Sequence, residues 1–426
     1  MPKILRARTA HDEKEEQQVQ RLAASRHGLA DWIVRVRMVL RSWDGLRVTA
    51  IAAAIVVPLL VGSLIVIPAR SHQLSPGGSG GMMQQSGVLS SLHMVDAETG
   101  WAVTVKGCIV RTTDGGVHWQ DLTPKYPSTL ALSAQQRAVA DFLTSSIAWV
   151  AVSDADAATT LLLRTADGGQ TWQNADIPTA TVTRITFITP QLGWMLAKFP
   201  ISASAETIEI YHTPDGGKSW VKVSVVLAAS TDAPPPGQLP FGGTKTGLGF
   251  LNATTGWATG SFPVNGYPFL YTTHDGGGKW YPQTLPLSAK EASSHLSINP
   301  PRFFTASDGL LPVSFVTESG PNLDVYVTHD GGTTWQGTVP VVASISAFTD
   351  VNHGWASDGT RLYRTRDGGQ HWTKLSPGVN LQHISSLDFV SSDIGWASGS
   401  TATNSPAFFK TVDGGHTWTV IPASIS

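Results

Sequence analysis

The chain of 426 residues contains one cysteine, Cys108. That excludes a disulfide framework, a cysteine-ligated zinc site and an iron–sulfur cluster. Charge is sparse as well. Charged residues make up 14% of the chain, below the ~25% usual for soluble proteins. The formal net charge is -2, which does not fit a chain that is basic throughout and binds nucleic acid. After residue 70 the only glutamates are Glu98, Glu206, Glu209, Glu291 and Glu318. No pair of histidines has metal-ligand spacing on a helix, and no glycine-rich loop joins a strand to a helix. Neither a metal nor a cofactor is expected. What is plentiful is Gly (42), Pro (26) and Trp (15), and the positions of the tryptophans organise the chain.

One long apolar run stands out. Residues 48–69, VTAIAAAIVVPLLVGSLIVIPA, carry no charge. As a helix they reach roughly 30 Å, the thickness of the bilayer hydrocarbon. Arg35, Arg37, Arg41 and Arg47 precede the run, and only Arg70 follows it before Lys106. The positive-inside rule then predicts a single-pass transmembrane helix with a cytoplasmic N-terminus and an extracytoplasmic C-terminal part. A cleaved signal peptide fits poorly, because its charged leader would span residues 1–47. Within 1–47, Leu29, Trp32, Ile33, Val36, Leu40 and Trp43 form an apolar stripe beside arginines. The stripe fits either an interfacial basic helix or an extension of the span. Residues 70–87 read as a Gly/Ser linker.

From residue 88 to 426 the chain is repetitive. The motif T-x-D-G-G-x-x-W occurs seven times. Its aspartates are Asp114, Asp167, Asp215, Asp275, Asp330, Asp367 and Asp413. Its tryptophans are Trp119, Trp172, Trp220, Trp280, Trp335, Trp372 and Trp418. Consecutive aspartates lie 37 to 60 residues apart, a period typical of propeller arrays. A second landmark, usually G-W, precedes each box: Gly100-Trp101, Ala148-Trp149, Gly193-Trp194, Gly256-Trp257, Gly309-Leu310, Gly354-Trp355 and Gly395-Trp396. Seven positions before the second residue of each pair is Met94, Phe142, Phe187, Phe250, Phe303, Phe348 or Phe389. Each unit thus reads as four short antiparallel strands. The Asp-Gly pair is hairpin chemistry, since glycine accepts positive φ and aspartate accepts backbone N–H groups. The expected fold is an all-β, seven-bladed propeller of four-stranded antiparallel blades, preceded by one transmembrane α-helix.

These boxes resemble the Asp-box, or bacterial neuraminidase, repeat. With the G-W units, the chain is most similar to the photosystem II assembly/stability factor-like family. The resemblance implies a structural role for box Asp and Trp, and a client protein held by a basic patch. It also occurs in sialidases and endoglucanases, so the fold alone does not decide function.

The box turn and the polar turn before G-W are short and should share one end of the propeller. The variable connections, including 121–138, 230–247 and 283–301, should share the other end and carry function. Arg137, Arg184, Lys245 and Arg302 precede inner-strand landmarks on that end. They are the expected ligand face for an anionic group such as a peptide C-terminus; scattered surface charge is the competing reading. Residues 71–426 have 18 basic against 25 acidic residues, a net of -7.

No catalytic residue is expected. A sialidase needs an Arg-Ile-Pro element, and the nearest text here is Pro301-Arg302-Phe303. A glycosidase needs two facing carboxylates. Asp96 and Asp350 occupy a turn position, leaving Asp141 and Asp388 as the one pair that could line the channel. The expected function is non-enzymatic: a membrane-anchored scaffold or assembly factor for an envelope or membrane protein client, without nucleic acid. A glycan-processing hydrolase and a ligand-sensing signalling protein are the alternatives.

Overall fold

The computed structural model describes residues 66–68, 72–74, 89–104, 106–125, 137–154, 159–177, 181–202, 205–226, 235–318, 320–377, 382–400 and 406–426. Among them are seven antiparallel sheets, one for each repeat. The inner, landmark-bearing strands are Leu89–Met94, Arg137–Phe142, Thr181–Phe187, Thr244–Phe250, Leu296–Ile298 with Arg302–Phe303, Ile345–Phe348 and Gln382–Phe389. In the fifth blade the inner strand breaks at Asn299-Pro300-Pro301, where two prolines offer no N–H to the ladder. Each second strand begins at the G-W pair, and the box turn joins the third strand to the outer one. The expected seven-bladed propeller is what the sheets form.

Aromatic packing between blades explains the two landmarks. The G-W tryptophan of one blade lies flat on the landmark phenylalanine of the next. Trp149 stacks on Phe187 at 3.6 Å, Trp194 on Phe250 at 3.7 Å and Trp355 on Phe389 at 3.6 Å. The box tryptophan of the phenylalanine's own blade meets it edge-on, as Trp220 does Phe187 and Trp418 does Phe389. Phe187, Phe250, Phe303 and Phe389 are therefore each clamped between two rings, a favourable geometry for aromatic quadrupoles. The glycine before Trp leaves room for it: a Cβ on Gly395 would lie 2.3 Å from Phe389 Cδ1.

The boxes form the expected turns. Asp215 is representative. Its Oδ1 accepts the Thr213 hydroxyl and the Ser219 N–H, both at 2.9 Å, and its Oδ2 accepts the Ser219 hydroxyl at 2.6 Å. The two glycines that follow sit at φ 77° and 91°, where a side chain would be strained. Gly216 N–H donates to Gln191 O in the neighbouring turn at 2.7 Å, and six other boxes repeat that bond. Both short turns therefore share one end.

The ring closes. The C-terminal strand Ser424–Ile425 adds in parallel to the outer strand His118–Asp121 of the first blade. Trp396, Phe408 and Ile421 of the last blade pack with Met94, Ala102, Val110 and Trp119 of the first.

No helix among the described residues is long and apolar enough to cross a membrane. Residues 1–47 and 48–65 of the expected span lie outside the described residues. Its last stretch differs from expectation. Val66–Pro68 is a strand on the outer edge of the third blade, pairing with Ser219, Trp220 and Val221. His72–Leu74, within the expected linker, pairs with the outer strand of the second blade. Helix to Ala69 and a free linker from residue 70 are thus corrected for these six residues. β-branched Val66 and Ile67 suit a strand, and Pro68 is tolerated at an edge.

Candidate functional site

The four basic residues of the expected ligand face have different fates. Lys245 is 3% exposed, and its ammonium donates to the carbonyls of Phe241, Gly242 and Gly243 at 2.7, 3.0 and 3.0 Å. It also lies over the Phe269 ring. Its charge holds a loop together, and the expectation of a ligand contact there is corrected. The reason is local: the glycine-rich turn 242–243 folds its carbonyls back over the strand. Arg137 begins the inner strand of the second blade, and its side chain lies outside the described residues. Arg184 and Arg302 remain. Both are exposed on inner strands, yet burial lowers the pKa of both guanidinium groups. That combination fits charges on the inner strands, which surround the central channel of a propeller.

Two carboxylates share that passage. Asp141 and Asp388 stand directly before landmark phenylalanines, and each bonds across to the next blade. Asp141 Oδ2 accepts the Phe187 N–H at 2.6 Å. Asp388 Oδ2 accepts the Met94 N–H at 2.5 Å, across the ring seam. Burial raises Asp141 to about 6, against the pull of the Phe187 N–H and Arg184. Burial also raises Asp388, against His93, the Met94 N–H and Arg302. His93 is lowered, chiefly by burial and also by Arg302, and opposed by Asp388. Its ring lies nearly parallel to Phe142 at 6.3 Å. The passage thus holds two groups: Asp141 with Arg184, and Asp388 with His93 and Arg302.

Four other carboxylates have structural partners. Asp96 Oδ1 caps the N–H groups of Glu98 and Thr99, and Asp350 Oδ1 those of Asn352 and His353. Glu209 pairs with Lys222 at 2.5 Å and accepts the Tyr211 hydroxyl. Glu291 closes a capping box on the short helix Ala289–Ala292 and accepts the Tyr326 hydroxyl at 3.0 Å. Cys108 is half-buried and packs against the first-blade core. No group of three or more metal-ligating side chains occurs among the described residues.

One set of residues was not anticipated from sequence. A cation often stands immediately before the box threonine: Arg111, Arg164, Arg364 and Lys410. Each lies 5.0–5.9 Å from the centre of its own blade's G-W tryptophan ring. Three reach on to a turn carbonyl of the next blade: Arg111 to Ser145, Arg364 to Ser392 and Lys410 to Ala97. The spacing R/K-T-x-D-G-G carried the signal.

A closed seven-bladed β-propeller with a polar axial passage is the class that fold and site define. No family model matches the chain, and no curated protein does. Solved structures do. YCF48 from Cyanidioschyzon merolae is 20% identical, with TM-score 0.50, covering 81% of this chain and 97% of its own. YCF48 bound to D1 peptide is 18% identical, with TM-score 0.46, covering 82% and 95%. The GH74 xyloglucanase from Xanthomonas campestris is 16% identical, with TM-score 0.37, covering 83% and 69%. These are likenesses of fold.

Proposed function

We propose that this protein is a membrane-anchored, extracytoplasmic scaffold that binds an anionic segment of a client protein, such as a peptide C-terminus, at its axial passage. One observation carries the reading. Arg184 and Arg302 are exposed on inner strands, whereas the cations before the boxes and Lys245 are engaged in holding blades and loops. A partly desolvated guanidinium favours bidentate capture of a carboxylate. YCF48, a propeller of similar fold, has been solved with a D1 peptide bound. The apolar run 48–65, with arginines before it, supports a single-pass anchor with the N-terminus inside.

The catalytic alternative would use Asp141 and Asp388. Both already accept an N–H from the next blade, and each faces a cation. That arrangement favours a structural role.

The test is binding of the detergent-solubilised full chain to peptides copied from the C-termini of membrane proteins of its host. Each peptide is offered with a free and an amidated terminus. Preference for the free carboxylate, lost in Arg184→Met with Arg302→Met, is the expected result. Glycan cleavage that disappears in Asp141→Asn or Asp388→Asn would replace this reading with a hydrolase.

A further inference from the structure

We propose that the fifth blade holds a divalent cation, of the size and hardness of Ca²⁺, between the carboxylates of Asp324 and Glu291. This site is independent of the anion-binding reading above.

The third and fifth blades share a feature that the other five lack. A carboxylate stands four residues before the box threonine: Glu209 before Thr213, and Asp324 before Thr328. A tyrosine follows two residues later in both, Tyr211 and Tyr326. Alternation along a strand puts each acid and its tyrosine on one face. The outer strand keeps the same register in both blades, with Val221 opposite His212 and Gln336 opposite Val327. The next outer-strand residue therefore faces the tyrosine. In the third blade it is Lys222, whose ammonium pairs with Glu209 at 2.5 Å. In the fifth it is Gly337.

The fifth blade thus lacks the lysine, and it gains a second acid. Glu291, on the short helix Ala289–Ala292, accepts the Tyr326 hydroxyl at 3.0 Å and the Ser288 N–H at 2.8 Å, both on Oε2. The Tyr326 ring edge and Asp324 Oδ2 lie 3.2 and 3.6 Å from the point where a Cβ on Gly337 would stand. Tyr326 therefore links the two acids. Asp324 is 2% exposed, and Glu291 and Tyr326 are fully buried. Thr338 holds Asp324 Oδ1 through its N–H and hydroxyl, at 3.0 and 3.1 Å. Glu291 Oε1 is buried with no hydrogen-bond partner. Among the described residues neither acid forms an ion pair. Burying an unpaired carboxylate oxygen is costly, and a cation removes the cost. Burial, and then the charge of Glu291, raise Asp324 to about 6, in keeping with two acids that lack a counter-ion.

The donors are all oxygens: two carboxylates, with the Tyr326 and Thr338 hydroxyls beside them. Such a set suits a hard cation, and two carboxylates balance a double charge. Ca²⁺ accepts irregular coordination, whereas Mg²⁺ keeps several waters, for which so buried a site is ill suited. With only two carboxylates the binding is weak, with Kd on the order of 10⁻⁴–10⁻³ M.

The probe is Ca²⁺ alone. The full chain in detergent is stripped with EDTA, and its melting temperature is followed up to about 10 mM CaCl₂ or MgCl₂, well above that Kd. Ca²⁺ should raise the melting temperature by about 2 °C or more, and Mg²⁺ by less than half as much. Asp324→Asn keeps an acceptor for Thr338, and Glu291→Gln keeps the capping box, which glutamine also closes. Each should lose the Ca²⁺ response. Gly337→Lys, which gives the fifth blade the third blade's lysine, should lose it too. No response in the native chain, or a response that survives in Asp324→Asn or Glu291→Gln, would overturn the site. Equal stabilisation by Mg²⁺ would overturn the assignment to Ca²⁺.

Discussion

Trp396 in the last blade donates its indole N–H to the carbonyl of Gly115 in the first, 2.8 Å away and 281 positions earlier in the chain. The same bond joins Trp149 to Gly216, Trp194 to Gly276 and Trp355 to Gly414 between sequential neighbours. The seam is thus built from the same parts that join three other pairs of blades, and the C-terminal strand is added to it.

Removing residues 423–426 should loosen that seam. The change deletes the bonds from Ser424 N to Val117 O, Ser426 N to Trp119 O and Asp121 N to Ser426 O. The melting temperature should fall, and hydrogen exchange should quicken first at the amides of 118–121. Unchanged exchange there would show that the aromatic contacts alone close the ring.

Asp215→Ala removes the acceptor of three bonds within one box. A loss of about 1–2 kcal/mol is expected in denaturant titration. Anion binding should be unaffected, since the box joins the third and outer strands of its blade, whereas Arg184 and Arg302 stand on inner strands. A loss of binding with full stability would move the functional face to the outer strands.

The boxes also set an acid limit. Asp114, Asp330 and Asp413 are lowered to about 2, the first and last against an opposing burial effect, by bonds from the residue four positions on and from the box threonine. Depressed carboxylates contribute stability that is complete above the unfolded pKa of ~3.9 and lost as pH falls towards 2. Asp141 has the opposite sign. Its raised pKa adds stability below ~4 that is lost as pH rises through about 6. Asp141→Asn should therefore flatten the decline in stability between pH 4 and 6 and leave the acid limb unchanged. Chemical denaturation across pH 2–8 separates the two.

Gly395→Ala places a methyl group against the clamped Phe389 ring. Overpacking of this kind costs about 1–3 kcal/mol. The loss should appear as faster unfolding of the last blade by native-state hydrogen exchange. A neutral result would mean that the ring shifts freely within its clamp.

Lys245→Met and Arg184→Met should separate structure from binding. The first leaves three loop carbonyls without their donor and should lower stability by about 1–3 kcal/mol, with peptide affinity retained. The second should weaken carboxylate binding with little change in melting. The reverse pattern would return Lys245 to the ligand face.

Much of this was legible in the chain itself. The box spells out its hairpin, because Thr, Asp and Gly bond to partners within four residues of one another. The G-W pair and the landmark phenylalanine mark strands by their spacing. Asp141 and Asp388 were recognisable as inner-strand carboxylates from their place before Phe142 and Phe389. Their bonds to Phe187 and Met94 were not legible, since those partners belong to other blades. Lys245 was misread for the same reason: sequence shows a lysine before a strand, and folding decides whether loop carbonyls curl over it.

Sequence alone determined the number of blades, the chemistry of each turn and the apolar run before them, because those rest on contacts between residues close in the chain. Tertiary structure alone decided how the ring is sealed, where the strands Val66–Pro68 and His72–Leu74 lodge, and which charges meet at the axis. Those depend on which blades become neighbours, and burial at the axis then shifts each charge according to what it faces.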